Sequence, residues 1–240
     1  RKYKKEDHIK VSGNKNYKSF NYNVPGDISS SAFFIVLTIL SKNSKILIKN
    51  VNINPTRIGV VRILKMMGAK IIFKNIKEYK GEKIANIYVK STSPLKAINC
   101  PTEFNSSSID EFLIIFLVAA KANGTSYFKD LSELNQKESP RLKIGSRILT
   151  MIGIKNKLTN NSIKIYGQPN LRLDKTYEVK NFLKDHRVFM MSTIAALTLG
   201  GNWKIHDQDS INTSFPSFLN IVRKLGGQVN WKIKKILKLI

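Results

Sequence analysis

Two clusters of charge interrupt an otherwise apolar part of this 240-residue chain. The segment Ser106-Ser107-Ser108-Ile109-Asp110-Glu111-Phe112 leads into a nearly unbroken apolar run over residues 112–122. A second charged segment, Glu133-Leu134-Asn135-Gln136-Lys137-Glu138-Ser139-Pro140-Arg141, stands at the head of the next amphipathic stretch. Asp185-His186-Arg187 opens another apolar run, and Asp27 with Ser29, Ser30 and Ser31 opens the first. Carboxylates and small hydroxyls belong where a helix begins, because they accept from its free N–H groups. The same helix ends carry positive partial charge and bind anions. The chemistry these residues suggest is therefore anion recognition. Each also has a plainer reading. Asp110 and Asp185 fit helix caps, and Ser29 to Ser31 fit capping and packing. Lys137, Glu138 and Arg141 fit an exposed charge face at i, i+3 and i+4.

The elements that must position these groups recur three times. Residues 28–40 predict a helix apolar on nearly all sides, which has to be buried. It is followed by a strand over 45–51, a helix from Pro55 to about Met67 that stops at Gly68, and strands over 69–74 and 86–90 around a polar loop at Gly81. The second copy has Asp110 opening an apolar helix, a strand over 125–131, a helix from about Glu138 to Ile152 that ends at Gly153, and strands near 154–158 and 162–166. The third has an apolar helix from Asp185 through Leu199, a strand over 202–206, a helix over about 215–225 before Gly226, and a strand over 228–233. The intervals Asp27 to Gly68, Asp110 to Gly153 and Asp185 to Gly226 are 41, 43 and 41 residues. Self-similarity at a fixed period marks a repeat architecture. Three all-apolar helices bury one another most simply around a pseudo-threefold axis with the strands outside. Their starts then share one face, which brings Asp27, Asp110 and Asp185 together. Residues 1–23 read as isolated strands at 9–11 and 17–22, the end of something upstream.

Composition narrows the classes. The single cysteine, Cys100, excludes an internal disulfide and a Cys-rich metal site. No apolar stretch of about twenty residues appears, so a soluble, cytoplasmic protein without membrane contact is expected. The net charge of +25 suits nucleic acid, a membrane surface or small anionic substrates alike. Its lysines are scattered rather than clustered, and abundant Lys, Asn and Ile point to compositional drift. That pattern argues against a nucleic-acid partner.

Val24-Pro25-Gly26-Asp27-Ile28-Ser29-Ser30-Ser31-Ala32-Phe33-Phe34 resembles the sequence that opens the C-terminal domain of the 5-enolpyruvylshikimate-3-phosphate synthase family. Asn54-Pro55-Thr56-Arg57, Ile109-Asp110-Glu111-Phe112, Lys137-Glu138-Ser139 with Arg141, Asp185-His186-Arg187 with Met190, and Thr213-Ser214-Phe215-Pro216 follow in that family's order. The resemblance implies an α/β (α+β) enolpyruvyl transferase-like domain of three repeated β/α units with buried parallel helices, an inside-out α/β barrel. It implies transfer of the carboxyvinyl group of phosphoenolpyruvate to the 5-hydroxyl of shikimate 3-phosphate, with release of phosphate. That chemistry needs a base, an acid and cations around phosphate and carboxylate, and no metal or organic cofactor. By the family pattern Asp110 is the base and Lys137 and Glu138 deliver the proton. Lys137 also contacts substrate, and Arg141 and Arg187 hold phosphoenolpyruvate as bidentate cations. His186 is a neighbour of these. Arg57 reads as a surface or supporting residue.

Some positions depart from the pattern. Pro140 replaces a usual Asp, Asn135-Gln136 a common Arg-Val, and Leu113 a common Pro, while Thr213 and Glu133 stand where some members have Lys and Asn. The family's Lys-Ser…Arg opening motif, Gly-rich loop and Ser-Ser-Gln stretch are not found. The expectation is a fragment, with residues 1–23 ending a preceding N-terminal domain and 24–240 forming the C-terminal one. Its repeats fall at about 24–91, 106–167 and 182–233, and it is inactive alone and monomeric when full length. The alternatives are a UDP-N-acetylglucosamine enolpyruvyl transferase, a basic nucleic-acid-binding module and a non-catalytic remnant.

Overall fold

A computed structural model describes residues 10–13, 16 and 18–230 of the chain. Its central motif is a strand, a buried helix and a second strand parallel to the first. In the first unit Gly26 bridges in parallel to Val51, and helix α1 (Ile28–Leu40) crosses between them into strand β1 (Lys45–Asn52). Helix α2 (Gly59–Met66) follows, then the hairpin β2 (Lys70–Tyr79) and β3 (Glu82–Lys90), which completes an antiparallel sheet of order β1-β3-β2.

The second unit enters through β4 (Leu95–Lys96) and the short helix α3 (Asn105–Ser108). Helix α4 (Phe112–Ala120) leads to β5 (Ala122–Asn123), parallel to β4, and to β6 (Thr125–Phe128). Helix α5 (Arg141–Met151) and strands β7 (Asn156–Leu158) and β8 (Ile163–Tyr166) give a second sheet of order β6-β8-β7. In the third unit β9 (Leu173–Val179), α6 (His186–Leu199) and β10 (Gly200–Ile205) form another parallel crossover, followed by α7 (Phe218–Lys224).

Helices α1, α4 and α6 pack pairwise on one another, and the sheet of each unit lies against its own helix. Every residue of α4 is buried, so no polar stripe is left to face water. Aromatic rings lock the layers. Phe33 and Phe34 meet Phe215 and Phe218 at centroid distances of 5.7–6.1 Å. Phe112, Phe116 and Phe128 form a second cluster at 5.3–5.9 Å. These spacings are those at which edge and tilted ring pairs attract. The expected central helices are thus present. The sheets around them remain separate rather than closing into one continuous barrel.

The repeated glycines have one physical cause. Gly68, Gly153 and Gly226 sit at φ 94°, 80° and 92°, left-handed conformations that L side chains rarely adopt. Each ends the second helix of its unit. The N–H groups of Ala69, Ile154 and Gly227 then donate to the carbonyls of Leu64, Leu149 and Val222 at 2.9 Å. This is a Schellman termination used three times.

Local chemistry moves several expected boundaries. Helix α2 begins at Gly59 rather than at Pro55, because the Asn54 carboxamide accepts from Thr56 N–H at 3.0 Å and holds residues 54–57 in a turn. Helix α5 begins at Arg141 rather than at Glu138, since Pro140 keeps the residue before it out of the helical region. Asp110 does not cap α4. It lies in the turn between α3 and α4 and makes no bond to the helix start. Strands β2 and β3 run on to a two-residue turn at Lys80-Gly81, both at positive φ, where a longer loop was expected. Strand β6 stops at Phe128, short of Leu131, and α7 starts at Phe218 rather than Phe215. The strands β4 and β9 that lead into α4 and α6 were not anticipated.

The tail from Lys232 lies wholly outside the described residues, and the strands expected at 9–11, 17–22 and 228–233 fall partly outside them. Their described parts carry no strand. Among the described residues no helix is long and apolar enough to cross a membrane.

Candidate active site

The starts of α1, α4 and α6 come together, and the loops before α2 and α5 add their cations. Asp27 accepts from Ser29 N–H at 3.2 Å and Ser30 N–H at 2.8 Å, fixing the first turn of α1. Asp185 accepts from Arg187 N–H at 2.9 Å and does the same for α6. Its other contacts reach across the molecule. Ser139 Oγ donates to Asp185 Oδ2 at 2.8 Å, and Arg141 Nε donates to the same oxygen at 2.8 Å.

Arg141 is the hub. Its Nη1 donates to Asp110 Oδ1 at 3.1 Å, and its Nη2 meets Glu138 and lies 3.3 Å from Asp185 Oδ1. The side chains of Arg141 and Asp185 are both wholly buried. A buried charge is tolerable only when paired and hydrogen-bonded, and here three carboxylates surround one guanidinium.

Asp110 is partly exposed, with 23% of its side chain open against 54% for Glu138 and none for Asp185. Lys137 Nζ lies 3.6 Å from it and 3.3 Å from Glu133. Arg187 Nη2 is 3.7 Å from Asp110 Oδ2, while its Nη1 donates to the Asp110 carbonyl at 3.0 Å and to Glu111 Oε1 at 3.3 Å. Arg57 reaches in from the turn before α2 and donates to Ser29 Oγ at 3.0 Å. All five expected site residues, Asp110, Lys137, Glu138, Arg141 and Arg187, therefore meet in one cluster. The plainer readings of a cap at Asp110 and a solvated charge face at Arg141 do not describe these contacts.

Charge and burial compete within the cluster. Burial works to raise the Asp110 carboxyl, but Arg187, Lys137, Arg141 and Arg57 together hold it below its ordinary range. Asp185 follows the same pattern: burial opposes ionisation, and the Arg141 and Ser139 hydrogen bonds overrule it. Glu111 goes the other way. It is 1% exposed, and burial lifts its carboxyl despite Arg187 and Ser29. Burial, then Arg187, lowers the His186 imidazole. The arrangement leaves an ionised carboxylate, Asp110, at the rim of a cationic recess. It can accept a proton or hydrogen bond from a hydroxyl while the cations hold anionic groups beside it. Cys100 is no nucleophile, being buried with its thiol pushed up to about 11. Among the described residues no three His, Cys, Asp or Glu side chains are placed to hold a metal ion.

Sequence reading left out Asp185, Glu111 and Ser139 as working parts of this cluster. Asp185 was visible as a cap, and Glu111 as the second member of an acidic pair. Their partners are supplied only by the packing of α6 and α5 onto α4.

Three strand–helix–strand units around mutually buried helices, with charged groups converging at the helix starts, define an enolpyruvyl transferase fold. The NikO enolpyruvyl transferase of Streptomyces tendae shares that fold with a TM-score of 0.64 at 15% identity, over 85% of this chain and 43% of that one. The family model of EPSP synthase (3-phosphoshikimate 1-carboxyvinyltransferase) matches residues 1–222. The chain is 38% identical over 222 residues to the 3-phosphoshikimate 1-carboxyvinyltransferase of Ruthia magnifica subsp. Calyptogena magnifica, covering 91% of this chain and 49% of that protein. It is 39% identical over 206 residues to the protein of that name from Thermodesulfovibrio yellowstonii, covering 86% and 47%. The EPSP synthase structure from Acinetobacter baumannii superposes with a TM-score of 0.80 at 35% identity, over 84% of this chain and 46% of that one. This chain belongs to the EPSP synthase family. It spans about half the length of the curated relatives it matches.

Proposed function

We propose that this chain carries the acid–base half of a 3-phosphoshikimate 1-carboxyvinyltransferase site, and that residues 24–240 act as the family's C-terminal domain. In this reading Asp110 takes the proton from the 5-hydroxyl of shikimate 3-phosphate as the oxygen attacks C2 of phosphoenolpyruvate. Lys137, with Glu138 beside it, delivers a proton to the methylene carbon, so the vinyl group becomes a methyl on a tetrahedral ketal. Loss of a proton from that methyl and departure of phosphate then restore the vinyl group on the new ether. Arg187 holds the carboxylate or phosphate through paired N–H donors, and Arg141 joins it once the incoming anion displaces Asp110 and Glu138 from its buried guanidinium.

The observation that supports this most is the position of Asp110, rim-exposed and within 4 Å of Lys137, Arg141 and Arg187. A carboxylate with a depressed pKa is a weak base, and substrate binding corrects this. The anionic groups of phosphoenolpyruvate occupy the same three cations, weaken their hold on Asp110 and leave its desolvation in force. Basicity is thereby raised only when both reactants are present.

The test is phosphate release from shikimate 3-phosphate plus phosphoenolpyruvate, measured with the protein carried to the full length of its relatives. Release that requires both substrates and collapses in Asp110→Ala is the expected result. Release unchanged in that variant would leave Asp110 without the role of base. No release from the folded full-length protein, with activity on UDP-N-acetylglucosamine instead, would replace the acceptor.

A further inference from the structure

We propose a second anion site, formed by Lys45, Lys70 and Lys90 at one end of the β1-β3-β2 sheet, that takes a di- or triphosphate group. Register places these three side by side. Lys45 pairs with Lys90 on one side, and Lys70 pairs with Lys90 on the other. Directly paired residues of antiparallel strands project to one face. All three lysines are exposed, whereas the next row, Ile46, Val89 and Ile71, turns inward. Neighbouring strands lie about 4.8 Å apart, so the row places three ammonium groups within reach of one compact anion. They line a recess of about 230 Å³ together with Asn43, Ser44 and Ser91, and no carboxylate contributes to it. None of the three lysines has a salt-bridge partner among the described residues.

Like charges directly opposite in a sheet are destabilising, so an empty row of three opposes the fold that creates it. The second unit shows that the architecture does not require it. There the corresponding row is Thr125, Tyr166 and Lys155, with the single ammonium 5.3 Å from the Tyr166 ring centroid. Nor are the lysines needed to terminate α1. Ser41 already donates both its N–H and its Oγ to the Leu37 carbonyl, at 3.0 and 2.6 Å. The recess follows the carbonyl end of α1, whereas the Asp110 cluster adjoins its amino end. The two lie about 20 Å apart along a 13-residue helix. A phosphate chain, which carries several negative charges in a small volume, offsets all three ammonium groups at once. A single carboxylate cannot.

The experiment follows the thermal midpoint and calorimetric affinity of this chain in sodium pyrophosphate, against sodium chloride of equal ionic strength. Pyrophosphate is expected to raise the midpoint saturably, beyond the chloride effect. Lys90→Gln should weaken its affinity about tenfold, the effect of losing one hydrogen bond to a charged group. A Lys45→Gln/Lys70→Gln/Lys90→Gln variant should lose the response while melting no lower than the parent without the anion. Lys157→Gln should respond like the parent. An ATP arm identifies the carrier. Affinity equal to that of pyrophosphate means the phosphate chain alone is read, and tighter binding means a nucleotide is. A response no larger than that to chloride would overturn the proposal. So would one that survives in the triple variant and therefore belongs to the Arg141–Arg187 cluster, or a triple variant that melts early without any anion.

Discussion

At the scale of single residues, the site depends on how the cations are divided among five carboxylates, Asp110, Glu111, Glu133, Glu138 and Asp185. Because free Asp110 is held low by Arg187, Lys137 and Arg141 against its own burial, its titration should separate the two kinetic profiles. The acid limb of kcat/KM reports the free enzyme, and that of kcat reports the bound complex. The kcat limb is expected at the higher pH, since substrate anions neutralise the cations; coincident limbs would remove the proposed gain in basicity. Stability has its own sign. Asp110 and Asp185 have native values below the ordinary 3.8, so they contribute stability at neutral pH that is lost as acid drives pH below 3.8 through those values. Glu111, raised above its ordinary 4.5, acts in the opposite sense and is relieved by protonation on the way down. The melting temperature should therefore hold or rise slightly in mild acid and then fall below about pH 4. The fall should be shallower in Asp185→Asn. Removing the carboxyl altogether is harsher. Asp185→Ala takes from the wholly buried Arg141 its one wholly buried partner, leaving only Asp110 and Glu138 at its outer side, and is expected to lose about 3 kcal/mol in a denaturant melt.

At the scale of elements, close backbone approach sets the site's walls. Helix α2 begins against α3, and a Cβ on Gly59 would stand 2.3 Å from Ser107 Oγ and 2.8 Å from the Ser107 carbonyl carbon. Gly59→Ala must push α3 away from α2, and α3 carries the chain straight into Asp110. The expected outcome is a loss of about 1–3 kcal/mol of stability, with activity falling further than Ser107→Gly in the same assay. An unchanged melt would mean that the two helices are not pressed together. These elements differ in how far the sequence exposes them. The helices α1, α4 and α6 are legible because their residues are apolar all round, and Asp27 and Asp185 mark two of their starts. The Schellman glycines at 68, 153 and 226 are legible by spacing. Strands β4 and β9 are not, because β4 is two residues long and Lys175 interrupts the apolar alternation of Leu173, Tyr177 and Val179 in β9. The position of Asp110 outside α4 is also hidden, since α3 inserts a turn that no Gly or Pro announces. In the site, Lys137, Glu138 and Arg141 are recognisable as a motif. The link from Arg141 to Asp185 spans 44 residues and exists only through packing.

At the scale of the whole molecule, three repeats share one core rather than owning three. Helices α1, α4 and α6 each touch both others, so no unit can lose its central helix without exposing the apolar faces of its neighbours. Unfolding should accordingly be a single transition, in which damage in one unit is read with equal size in another. Phe116 in α4 is fully buried and packs on Phe112 and Phe128 within the second unit. Phe116→Ala is expected to destabilise by about 3–5 kcal/mol, through lost transfer energy and the cavity left behind. Trp203 lies in β10 of the third unit, its ring 5.2 Å from that of Tyr177 and its Nε1 donating to the Gly200 carbonyl at 2.9 Å. With Trp231→Phe as the background, Trp203 is the sole tryptophan and reports on that unit alone. The prediction is that its fluorescence midpoint in urea falls in Phe116→Ala by the same amount as the midpoint from far-UV circular dichroism. Coincident curves in both proteins would establish one cooperative core. A Trp203 curve that stays in place while the dichroism shifts would mean that the third unit folds independently. The helix starts that gather Asp110, Arg141 and Arg187 would then be held together by their ion pairs rather than by the core beneath them.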